Sequence, residues 1–164
     1  MQANDLTEPY AGRAPWVEAG GKILERTAKK LSRQYGMQVT GSGGSLMNNI
    51  DGLTLSFQLR GAHNIDEARL LIVDCVRVFL EEINQDVKAR PFLSHYPFNV
   101  NDISMMVGFC KRGGENFVYP QLGMVSVCRG TVQYKSESQD NPYRYELLFK
   151  ETYAEALAQV DNGL

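Results

Sequence analysis

The sequence predicts an α+β domain, with a mainly antiparallel sheet of about five strands packed against a long central helix plus N- and C-terminal helices. Three observations carry this expectation. The stretch Asn64–Asn84, NIDEARLLIVDCVRVFLEEIN, places Ala68, Leu71, Ile72, Cys75, Val76, Phe79 and Ile83 on one helical face, and Val73 and Leu80 widen that face. A helix this apolar is expected to pack against a sheet. Leu53–Arg60 and Ile103–Cys110 each alternate apolar and polar residues, the pattern of strands covered on one side, as in antiparallel sheets. Helices and runs of strands are also partly segregated along the chain, which fits α+β better than a repeated strand–helix unit.

Taken in order, residues 1–14 are polar with Pro9 and Gly12, and are expected to form a flexible N-terminal arm. Residues 15–164 read as one domain. Pro15 suits the first turn of a helix. Ile23, Leu24, Thr27, Ala28, Leu31 and Tyr35 form its apolar stripe, and Gly36 is its expected stop. Met37–Thr40 reads as a short strand, Gly41–Ser45 as a loop and Leu53–Arg60 as a strand. The central helix opens with Asn64 as N-cap and Glu67 three residues on, a capping box. Asp86–Phe98 is a connection pinned by Phe92, Tyr96 and Phe98. Ile103–Cys110, Phe117–Tyr119, Leu122–Cys128 and Thr131–Lys135 follow as strands, with Pro120 at an edge or bulge and Arg129-Gly130 as a tight turn. Tyr143, Tyr145, Leu147 and Phe149 alternate as a last strand or lead into a helix over Glu151–Val160.

With 164 residues the chain is long enough to bury a core without disulfides or metals. A net charge of −2 argues against a general nucleic-acid binder, whose electrostatic footprint is basic. No apolar run reaches the ~20 residues needed to cross a bilayer. Cys75, Cys110 and Cys128 are odd in number and lack CxxC spacing, so all three are expected to be free thiols, with Cys75 on the core face of its helix. Reduced thiols favour a cytoplasmic setting, with export as the alternative if a targeting segment has been removed.

Candidate sites are sparse. Gly41, Ser42, Gly43, Gly44 and Ser45 form a glycine–serine run whose amides could converge on an anion or phosphate. It lacks the phosphate-loop lysine and the dinucleotide-fold glycine spacing. His63 lies in the turn just before the central helix. His95 sits among Ser94 and Tyr96. No His/Cys spacing calls for a metal, and no cofactor is implied. Asp74, Arg77 and Glu81 fall three and four residues apart, as a solvated ion-pair stripe. Arg26, Lys29, Lys30 and Arg33 give the first helix a basic face, read as solvation. Tyr134, Tyr143, Tyr145 and Tyr153 crowd the C-terminal third, and tyrosine is enriched where proteins meet. The functional expectation is a non-enzymatic interaction domain that binds a protein partner or another copy of itself through strand edges and aromatic loops. The alternative is a small enzyme or ligand-binding protein built on Gly41–Ser45 and His63.

Overall fold

The computed structural model describes Tyr10 and residues 12–163. The elements run α1 (Pro15–Tyr35), β1 (Gln38–Ser45), β2 (Gly52–Arg60), α2 (Ile65–Asn84), β3 (Ile103–Cys110), β4 (Met124–Cys128), β5 (Thr131–Glu137), β6 (Tyr145–Thr152) and α3 (Tyr153–Asp161). Their ends obey local chemistry. Asn64 accepts from the Glu67 amide while the Glu67 side chain accepts from the Asn64 amide, so the expected capping box is present. Thr152 and Glu155 build a second one at the start of α3. Gly36 ends α1 at φ 67°, a left-handed turn that costs glycine little.

The six strands lie side by side in chain order. A row of side chains crosses the whole sheet: Val39, Phe57, Val107, Val125, Tyr134 and Phe149 stand in register. The helices cover this face, α1 over β1 and β2, α2 over β3 and β4, and α3 over β5 and β6. Leu53, Leu55, Phe57, Ile103, Met105, Val107, Val125 and Val127 are buried there with Leu24, Leu31, Ile72, Val76, Phe79 and Ile83 of the helices. The other face carries Ser56, Met106, Ser126 and Gln133 in register and is only part-buried. One face is dry and the other wet, which is what alternation in the strands requires.

Four expectations are corrected. The sheet has six strands rather than about five, and Gly41–Ser45 continues Gln38–Thr40 as one paired strand instead of forming a loop. The sheet is mixed: β2 and β3 run parallel, joined by α2, and the remaining neighbours are antiparallel. One-sided alternation survives in the parallel pair because helices cover only one face. The helix expected to be long has 20 residues, one fewer than α1, and it packs chiefly on β3 and β4. Phe117–Tyr119 makes no strand. Its segment joins the sheet through isolated bridges, Cys110 to Asn116 and Val118 to Glu137, and Pro120 ends the run.

The expected flexible arm lies outside the described residues except for Tyr10 and residues 12–14. There the Tyr10 ring packs against Gly21, leaving no room for a β-carbon, and the Gly12 amide donates to Glu18 at 2.8 Å.

The three thiols are free, and their settings differ. Cys75 and Cys110 are buried and Cys128 is exposed. Burial, with the Asp74 charge beside it, pushes the Cys75 thiol up to about 12. A timed reaction of the native protein with a small alkylating reagent should therefore modify Cys128 first, and Cys75 only as fast as the fold opens. Modification of Cys75 at the rate of a free peptide thiol would mean that α2 buries a different face.

Candidate functional site

A well-formed concavity lies where the C-terminal end of α1, the end of β2, the outer face of α2 and the end of α3 meet. It encloses about 660 Å³ and is lined by Gln34, Tyr35, Leu59, His63, Glu67, Leu70, Leu71, Asp74, Arg77 and Val160. Leucines and a valine supply its apolar lining, and Gln34, Tyr35, His63, Glu67, Asp74 and Arg77 its polar groups. Such a mixture, at this size, is typical of small-molecule sites.

Asp74 is the centre of its polar network. The Tyr35 hydroxyl donates to Asp74 Oδ2, and Gln34 Nε2 donates to the same oxygen at 3.1 Å. The expected pairing of Asp74 with Arg77 is absent. Arg77 reaches across to Asp161 Oδ1 at 2.6 Å, tying α2 to the end of α3. Helical spacing placed Asp74 and Arg77 on one stripe correctly. It did not show that residues on α1 and α3 offer better partners.

Burial raises Tyr35 well above the ordinary tyrosine value of 10.0, and the hydrogen bond to Asp74 adds to the rise. Tyr134 is raised in the same way, first by burial and then by Glu151. The sign follows directly. A raised folded value means stability that is fully present below pH 10 and is lost as pH climbs from there toward the folded values. Urea unfolding at stepped alkaline pH should show this fall, and Tyr35→Phe and Tyr134→Phe should each make it shallower. Identical slopes in wild type and both variants would remove these hydroxyls from the account.

His63 lies in the same groove, held by the turn before α2. Its ring stacks on Phe109 with centroids 4.7 Å apart, and Nδ1 faces the Gly61 carbonyl at 3.0 Å. That carbonyl can only accept, so in the neutral ring Nδ1 carries the proton and Nε2 is left as an acceptor.

The glycine–serine run is elsewhere, on the edge strand β1. Gly41, Ser42, Gly43, Gly44 and Ser45 pair with Ser56, Leu55, Thr54, Leu53 and Gly52. None of the three glycines has a positive φ, so the alternating backbone of an anion nest is not formed. Gly44 is explained by packing instead, since a β-carbon there would lie 2.5 Å from the Gly52 carbonyl oxygen. The structure thus does not bring His63 and the glycine run together as one site.

His95 has partners the sequence did not reveal. Nε2 meets Asp102 Oδ2 at 2.8 Å and Nδ1 meets Ser94 Oγ at 3.3 Å. This resembles a nucleophile–base–carboxylate relay, but all three act locally. Asp102 Oδ2 also accepts the Asn99 amide, capping the short turn Val100–Asp102. His95 is exposed and lines none of the described concavities. Its evident work is to hold the connection between α2 and β3 in shape. Among the described residues, no group of three or more His, Cys, Asp or Glu is placed to hold a metal ion.

The basic face of α1 is largely neutralised from within. Arg26 pairs with Glu82 and Asp86, Lys30 with Glu82, and Lys29 with Glu25. Burial opposes the charge on Glu82, yet Arg26 and Lys30 outweigh it and hold that carboxyl below the usual range. The Arg26 and Lys30 pairs fasten α1 to α2 and the residues just after it, a function that helical spacing on one helix alone could not show, while Lys29–Glu25 lies within α1.

The remaining surface of note is the edge strand β6. Tyr145, Leu147 and Phe149 are 52%, 50% and 42% exposed, and Tyr143 just before them is almost fully so. A bulge at Leu148 divides them: Phe149 stands beside Tyr134 on the helix side, while Leu147 stands beside Lys135 on the open side. Neither a family model, a curated protein nor a solved structure matches this chain. No helix among the described residues is long and apolar enough to cross a membrane.

Proposed function

We propose that this chain is a non-enzymatic interaction domain whose binding surface is the β6 edge of the sheet. The observation that supports this reading is the exposure of Tyr145, Leu147 and Phe149 on β6, and of Tyr143 just before it, at an end of the sheet where the outer strand edge has no neighbouring strand among the described residues. An edge strand presents free backbone donors and acceptors, and an extended segment of a partner can add to it. Aromatic side chains on both faces of that edge would then grip the added strand, supplying apolar contact at low entropy cost. The partner is another protein or a second copy of this chain. The bulge at Leu148 interrupts regular pairing, so side-chain contact must carry a larger share of the affinity than in an unbroken strand.

Light scattering after size exclusion, with a pull-down beside it, tests this. Association should weaken or vanish in Leu147→Lys and Tyr145→Lys, since charge on an edge strand opposes pairing. Both positions are half exposed, so the variants should keep wild-type unfolding midpoints. A strict monomer with no recoverable partner, or variants that associate as wild type does, would end this reading.

A further inference from the structure

The groove between the ends of α1 and α3 is rich in hydrogen-bond acceptors and is lined by more carboxylates than cations. We infer that it binds small organic amines, a protonated ammonium group joined to an apolar body. Asp74 Oδ2 already receives Tyr35 and Gln34, which leaves Oδ1. Glu67 Oε1 accepts the Asn64 amide, which leaves Oε2. His63 keeps its proton on Nδ1 toward Gly61, which leaves Nε2 as an acceptor in the neutral ring.

The principal donors of the same lining already face carboxylates. Tyr35 and Gln34 both point at Asp74, and the one cation, Arg77, is paired with Asp161. An anionic ligand would therefore meet two carboxylates, Glu67 and Asp74, and a single cation whose charge is already paired with Asp161. An ammonium is the complement, with three donors, no acceptor and a positive charge. Leu59, Leu70, Leu71 and Val160 supply the walls for the apolar body, in a space of about 660 Å³. Leu70 is half exposed although it is a leucine on a well-packed helix, and an occupant of the groove would cover it. This site is separate from the β6 edge, and neither depends on the other.

Backbone amide NMR and calorimetry at neutral pH test it, with 2-phenylethylamine as the probe. Its uncharged counterpart 2-phenylethanol, the anion phenylacetate and Nα-acetyl-lysine-N-methylamide are the comparison arms. The amine should bind saturably and shift the amides of Leu59, His63, Leu70 and Asp74. The alcohol should bind about tenfold more weakly or less, the loss expected when a charged hydrogen-bonding head is removed, and phenylacetate should not bind. Asp74→Asn should weaken the amine by about tenfold or more for the same reason. Should that substitution disturb the fold, Leu70→Lys provides the second variant: it changes an exposed helical position and puts a cation at the rim, which should abolish binding. Equal affinity for amine and alcohol would overturn the proposal. So would shifts that map away from the groove, or no saturation by about 10 mM, the weak end of ligand affinity. Preference for the lysine derivative over phenylethylamine would overturn it too, since the groove would then be reading a lysine side chain and not a free amine.

Discussion

Glu151→Ala should cost about 3–5 kcal/mol, the loss typical of breaking a buried ion pair from one side. Glu151 sits on β6 but faces the helices. Its Oε2 receives Arg69 Nε at 2.9 Å and the Tyr134 hydroxyl at 2.6 Å. Arg69 lies on α2, stacked near the rings of Tyr134 and Phe149. Without Glu151, a buried guanidinium keeps only Asp66, and a fully buried tyrosine hydroxyl loses its acceptor. The two carboxylates differ sharply in setting: the Glu151 side chain is 4% exposed and that of Asp66 is 74%. Asp66→Ala should therefore cost under about 1 kcal/mol, as exposed pairs do. Total stability of a domain is ~5–15 kcal/mol, so Glu151→Ala should be marginally folded. Replacing the group together, with Arg69→Met, Glu151→Leu and Tyr134→Phe, should recover much of the loss, because no charge is then stranded. Chemical denaturation of the set decides the matter. Equal costs for Glu151→Ala and Asp66→Ala would mean that the pair does not form as described.

Phe79→Ala is the second large effect, expected at about 3–5 kcal/mol from lost transfer energy plus a cavity. Phe79 is fully buried in the cluster that also holds Phe57 and Leu55. The informative comparison is Asp74→Ala on the other side of α2. As an exposed stripe residue it would cost well under 1 kcal/mol. As the acceptor for Tyr35 and Gln34 it should cost more, toward the ~1.5–3 kcal/mol of a hydrogen bond to a charge and reduced by its partial exposure. Urea midpoints of the two variants should thus remain clearly apart. A loss at Asp74 as large as that at Phe79 would mean the helix is rotated about its axis.

Much of this fold could be read from local chemistry. Asn64 and Glu67, Gly36 and the alternation of Ile103–Cys110 each act within a few residues, and each reading agrees with the structure. Strand direction was less legible. Alternation reports which face is covered, so Leu53–Arg60 looks the same whether β3 runs with it or against it. Gly41–Ser45 misled for a related reason: glycine permits a turn but does not require one, and here its small size lets β1 approach Gly52 closely. The Arg69–Glu151 pair joins residues far apart in the chain. A signal for it was nevertheless present, since Glu151 keeps the period-two phase of Phe149 and Arg69 sits between buried Ala68 and Leu71. The groove at Asp74 was hidden because its walls come from four elements, and spacing along one helix showed only Arg77 and Glu81.

The side-by-side order of the strands bears on how the chain reaches this state. Every sheet neighbour is also a neighbour in sequence, and four of the five pairings follow from a reversal of the chain with no helix between. Such closures lose little chain entropy, and topologies rich in them fold quickly. The exception is the β2–β3 seam, where α2 and the connection after it must be spanned before the parallel pair can form. That seam divides the molecule into two locally wired halves. Their joining, organised by the packing of α2, is the step at which the search for the native arrangement should be slowest.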